Sequence, residues 1–151
     1  MSAPQENNAA RKSWMSLLAK AAPARLEQLF DGLGTPPEFD WMRPPETGGV
    51  MVRGRAGGTG APFNLGEMTV TRCALRLSGG ETGHAYVQGR DKAHARRAAL
   101  VDALMQTPRA DDLRSQILEP LAHESKAAKT ARAEKAGATK VDFFTMVRGE
   151  D

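Results

Sequence analysis

Cysteine is almost missing: Cys73 is the single one in 151 residues, which excludes an intrachain disulfide and a multi-cysteine zinc site. Aromatic residues make up only 5%, with Tyr86 the lone tyrosine, so a base-stacking platform for single-stranded nucleic acid is not expected. No run approaches the ~18–20 apolar residues of a membrane span. The first residues, MSAPQENNAARKSW, lack the apolar core of a secretory signal, and the expected location is cytoplasmic. Large apolar side chains are thin too, since alanine supplies 24 of the 61 residues in the apolar set. One domain is expected at this length, with a lean core that leaves apolar faces for a partner to cover.

What the chain does have is concentrated positive charge. Lys and Arg number 21 against 18 Asp and Glu. Between Arg43 and Arg97 there are nine basic residues and four acidic ones, so the middle third carries +5 while the flanks are about neutral. Such a face attracts phosphates, acidic protein surfaces or nucleic acid, although a solvated arginine-rich sheet face has the same composition.

The pattern along the chain is α+β: a small antiparallel sheet of three to four strands packed with helices, plus an extended C-terminal arm. Residues 1–10 read as a flexible tail, residues 11–121 as the α+β domain, and residues 122–151 as a helical or extended arm. Trp14, Leu17 and Leu18 share one helical face, and Leu26, Leu29 and Phe30 continue it after Pro23. Strands are expected over Phe39–Arg43, ending at Pro44-Pro45, then over Thr47–Ala56, Met68–Leu77 and Thr82–Gln88. Asp91 caps a helix whose stripe is Ala95, Ala98, Val101, Leu104 and Met105. Residues 122–140 have high helix propensity and almost no apolar face. Phe143, Phe144, Met146 and Val147 follow, and such residues need burial, so they are expected to dock on a partner or to add a strand.

Two segments are candidates for anion binding. Gly57, Gly58 and Gly60 lie in a loop whose amides can form a phosphate nest, with Arg53, Arg55 and Arg72 supplying charge. The loop fits neither Walker A nor the dinucleotide fingerprint, because Ala61-Pro62 and Phe63 stand where those motifs need other residues, and a plain connection remains open. Arg90, Lys92 and His94 surround a helix start, where free N–H groups suit an anion; an ordinary Asp91 cap is the other reading. Cys73 lies on the apolar face of its strand and reads as buried and inert. A triad of His84, His94 and Asp91 has no nucleophile motif beside it, and histidines at 84, 94 and 123 match no metal-ligand spacing.

Four blocks, in order, resemble a known family: Glu46-Thr47-Gly48, then VMVRGRAGGTGAPFNLGEMTVTRC (50–73), GHAYVQGRDKAHARRAALVDALMQ (83–106) and VDFFTMVRGED (141–151). They are similar to the G subunits of the bacterial carbon–phosphorus lyase core complex. The resemblance implies a subunit that works with the H and I subunits and with L as an accessory, in a core holding two copies each of G, H, I and J. Together G, H, I and L displace adenine from ATP, with Mg, by an alkylphosphonate to give ribose 1-methylphosphonate 5-triphosphate, and J acts in a later step. The resemblance places no catalytic residue on this chain, so the transferase centre is expected on a partner subunit. It also implies no cofactor or metal bound by this chain alone, no membrane and no nucleic acid. The competing expectation is a free-standing nucleotide- or nucleic-acid-binding module that uses the basic sheet face.

Overall fold

The computed structural model describes the backbone of residues 3–55, 60 and 62–149, and the side chains of residues 8–51, 53–54, 60 and 66–136. In chain order the elements are α1 (Ala3–Lys20), α2 (Pro23–Asp31), β1 (Phe39–Arg55), β2 (Pro62–Leu77), β3 (Thr82–Gln88), α3 (Lys92–Leu104), α4 (Ala110–Leu113), a π-helical turn (Arg114–Leu118) and α5 (Glu119–Gly149). The expected α+β class is what forms, with a three-stranded antiparallel sheet in the order β1-β2-β3. α1 begins at Ala3, so the segment read as a tail is helical from there. Pro4 falls in the first turn, where its missing N–H costs nothing.

The two expected strands Phe39–Arg43 and Thr47–Ala56 form one long β1, a correction to the sequence reading. Pro44-Pro45 does not end it because β1 is an edge strand, where a missing donor can face away from the ladder. Register shifts between Trp41 and Arg43 and between Arg43 and Glu46 absorb the prolines as bulges. β2 likewise begins at Pro62 rather than Met68, because it pairs with the far half of β1 from Arg55↔Pro62 onward.

Helix α3 is the centre of the body. It packs on β2 and β3, while α1 and α2 contact its other side. Ala95, Ala98, Ala99 and Ala103 are all buried on it, so the alanine content that reads as a lean core is the packing surface itself. Small side chains let helix and sheet approach closely. Gly83 marks the nearest approach: a Cβ there would sit 2.0 Å from the Ala99 carbonyl oxygen. Leu18 of α1, Leu26 and Phe30 of α2, and Leu113, Ile117, Leu118 and Leu121 close the core. The π turn ends two residues before Pro120, which has no N–H to return to the Gln116 carbonyl.

Beyond Pro120 the chain continues as the single helix α5, which resolves the choice between helix and extended arm for residues 122–140. Its side chains from Ala122 to Ala136 are exposed or partly exposed, as its composition requires. The backbone of Phe143, Phe144, Met146 and Val147 belongs to the same helix, and their side chains lie outside the described residues.

Candidate interface on the sheet and its projecting hairpin

The strands present two unlike faces. Thr71, Cys73, Leu75 and Leu77 of β2 point toward the helices and are buried. Arg72 and Arg76 alternate with them on the outer face and are exposed. Their neighbours across the ladders are Tyr86 and Thr82 on β3, and Glu46 and Asp40 on β1, so these side chains share the outer face. His84 opposite Ala74 completes it, and His84 and Tyr86 are exposed. The helices that contact the sheet most, α1 and α3, lie against its buried face. Arg72 approaches Glu46 at 3.8 Å with both side chains more than half exposed, a pair that contributes little to stability.

β3 pairs with Val70–Arg76 only, so the ladder from Gly49↔Thr69 to Arg55↔Pro62 extends past it as a two-stranded ribbon. Thr71 anchors the ribbon's root: its hydroxyl donates to the Gly89 carbonyl at 2.7 Å and lies 3.1 Å from the Thr47 hydroxyl. Just beyond, the Glu67 side chain lies across Gly49, where any Cβ would collide with it. Arg53 is exposed near the ribbon's far end, opposite Asn64. At ~3.3 Å per residue, Arg53 is roughly 20 Å along the strand from Glu46, the residue opposite Arg72. Arg53 and Arg72 are therefore not brought to one point. The side chain of Arg55, all of Gly57 and Gly58, and Ala61 lie outside the described residues, and Gly60 alone of the glycine loop is described.

At the start of α3 the Asp91 carboxylate accepts the His94 N–H at 2.9 Å, which is the expected cap. Arg90 and Lys92 are exposed beside it. His94 departs from the sequence reading: its ring is buried, with Nε2 2.8 Å from the Leu18 carbonyl, so it serves the α1–α3 contact rather than an anion at the surface. The ring joins the inward stripe of the helix, which starts one residue before Ala95. His84 is on the outer sheet face and His94 inside, so no acid–base cluster forms from the two with Asp91. Cys73 is buried under α3, its thiol donates to the Ala95 carbonyl at 3.3 Å, and burial pushes its pKa up to about 11. It is held as a thiol, with little nucleophilic character. Among the described residues no three of His, Cys, Asp and Glu converge on a metal-sized site, and no helix is long and apolar enough to cross a membrane.

Sequence reasoning missed Asp102. It is fully buried in α3 and accepts from Arg11 Nε at 3.1 Å, Arg11 Nη2 at 2.9 Å, Trp14 Nε1 at 2.8 Å and the His84 N–H at 2.9 Å. Those four donors satisfy both oxygens and tie α1 and β3 to α3. The signal was present: an aspartate between Val101 and Ala103 in a buried helix needs donors, and Arg11 and Trp14 stand one turn apart on α1.

The chain is also similar to known proteins. Residues 9–149 match the family model described as phosphonate metabolism protein PhnG. A Rhizobium meliloti (strain 1021) protein, named alpha-D-ribose 1-methylphosphonate 5-triphosphate synthase subunit PhnG, is 49% identical over 143 residues, spanning 95% of this chain and 92% of its own length. The match runs through the body, the projecting ribbon and α5 alike, and the chain belongs to the PhnG family of phosphonate metabolism proteins.

Proposed function

We propose that this chain is a structural and positioning subunit of a synthase that makes ribose 1-methylphosphonate 5-triphosphate, as the name of its Rhizobium relative implies. The observation that carries the reading is β1. Not one of its described side chains is buried, yet it holds three of the four large hydrophobic residues exposed on the described surface, Trp41, Met42 and Met51. A strand of that kind is finished by another protein. The partners in this reading are the H, I and J subunits of the carbon–phosphorus lyase core, two copies of each core subunit, with L as an accessory.

The reaction joins a phosphonate oxygen to the ribose C1 of ATP as the C1–N9 bond breaks, and adenine leaves with a proton. Positive charge develops on the sugar while a triphosphate and a phosphonate, each anionic, are held together. Arginines that approach such a site screen the two anions and hold them in position. Arg53, Arg72, Arg76, Arg90 and Lys92 are among the exposed bases this chain brings to the assembly. Mg would accompany the triphosphate, and the transferase centre belongs to a partner. A free-standing nucleic-acid module gains no support from the comparisons. The test is adenine release and phosphonate transfer from ATP by reconstituted subunits with and without this chain. Loss of product on omission is expected; an unchanged product and rate overturns the reading.

A further inference from the structure

The sheet has two edges, and only one is blunted along its whole length. β1 carries Pro44-Pro45 and three register shifts, devices that keep another strand from pairing. β3 is regular throughout its pairing with β2. The Leu77 N–H donates to Glu81 O at one end of this ladder and the Gly89 N–H to Thr69 O at the other. Alternation between them turns the backbone groups of Thr82, His84, Tyr86 and Gln88 away from β2. The His84 N–H confirms the direction, since it reaches Asp102 instead of β2. The first half of this edge is occupied: Thr82 O accepts from Arg11 and Gln106. The second half is open. Among the described residues no strand flanks the His84 carbonyl, either group of Tyr86, or the Gln88 N–H.

Beside that open half runs a groove of about 450 Å³ between β3 and α1, lined by Lys12, Met15, Ser16 and Ala19 on one side and His84 to Tyr86 on the other. We propose that this edge takes up an extended segment of a partner subunit as a fourth strand, a proposal that rests on the subunit reading above. Main-chain groups of the segment pair with His84, Tyr86 and Gln88, which supplies affinity without regard to sequence. Side chains on one face of the segment lie over Met15 and Ala19 and are apolar. Those on the other face meet His84, Tyr86 and Arg72, with Lys12 at the rim, and are acidic. The same charges argue against a second copy of this chain, whose β3 would bring Arg72 and Lys12 against Arg72 and Lys12.

The test compares the isolated chain with the complex purified after co-expression with the H, I and J subunits. In the complex, hydrogen exchange at the Tyr86 and Gln88 amides slows by about tenfold or more, while both exchange rapidly in the isolated chain. Tyr86→Pro removes the outward N–H without touching the β2 ladder and lowers recovery of the partners about tenfold, whereas Tyr86→Ala keeps the N–H and stays within about twofold. Ser16→Trp, on the exposed opposite wall, fills the groove and has the same effect as Tyr86→Pro, so a folding defect in β3 does not decide the result. If the wild-type complex forms but those amides exchange unchanged, or both blocking variants recover partners normally, the fourth strand is wrong and the subunit reading stands. If the wild-type chain recovers no partner, the subunit reading falls and this proposal falls with it. Slow exchange at those amides in the isolated chain, whether or not it depends on concentration, means that the chain or a second copy covers its own edge, and also overturns the proposal.

Discussion

The body and the ribbon that leaves it are built on opposite terms. Every buried hydrophobic residue of the described chain falls between Leu18 and Phe30 or between Val70 and Leu121. From Asp31 to Thr69 no described side chain is buried, and from Ala122 to Ala136 none again apart from partial cover. The body is closed around α3 by alanine packing and by Asp102, whereas β1 pairs along its length with one strand and leaves Trp41, Met42 and Met51 in solvent. A fold can therefore be complete as a core and incomplete as a surface.

The sharpest way to separate the regions is to damage the body. Asp102→Ala removes four hydrogen bonds and leaves the Arg11 guanidinium and the Trp14 N–H without their buried acceptor. A loss of about 3–5 kcal/mol is expected, read by urea denaturation. Little change would mean that α1 is not fastened to the body in this way. Gly83→Val comes next, since its Cβ meets the Ala99 carbonyl and the Ala103 Cβ. It should cost about 1–3 kcal/mol as α3 moves off the sheet.

The third effect depends on pH. Because burial raises the Cys73 pKa to about 11, the unfolded chain releases a thiol proton that the folded chain keeps once the pH exceeds that of an ordinary cysteine. Stability is therefore unaffected by this group below that range and falls as pH rises toward 11. Denaturation midpoints across alkaline pH, with Cys73→Ala as the reference that lacks the slope, check it. Alkylation of the native chain near neutral pH should be slow and become fast on unfolding. The smallest effect on stability belongs to the ribbon: Met51→Ser should change it by no more than about 0.5 kcal/mol, while partner recovery drops. A large stability loss would show that the ribbon has burial of its own.

Much of this division was legible in the residues. Alternation through Thr71, Cys73, Leu75 and Leu77 marked the inner face of β2, Asp91 marked the start of α3, and the alanine-rich 122–140 segment showed no face to bury, while helix and extended arm both stayed open. The reach of β1 across Pro44-Pro45 was not legible, because tolerance of proline depends on being at an edge, and only pairing settles which strand is the edge. His94 and Asp102 were missed for a related reason: local pattern assigned them to a cap region and a polar position, while the partners that bury them, Leu18, Arg11 and Trp14, come from more than 70 residues away in the chain. Of the anion candidates, local spacing placed Arg90 and Lys92 together correctly at a helix start, but it could not reveal that Arg53 and Arg72 sit far apart on one extended ladder.

The most direct test of β1 as a surface completed by other subunits is oxidative footprinting of Trp41, Met42 and Met51 by mass spectrometry, in the isolated chain and in the complex recovered by co-expression. All three side chains should be modified readily in the isolated chain, and in the complex the modification of at least Met42 and Met51 should be suppressed. Equal modification of all three in both samples would contradict the account.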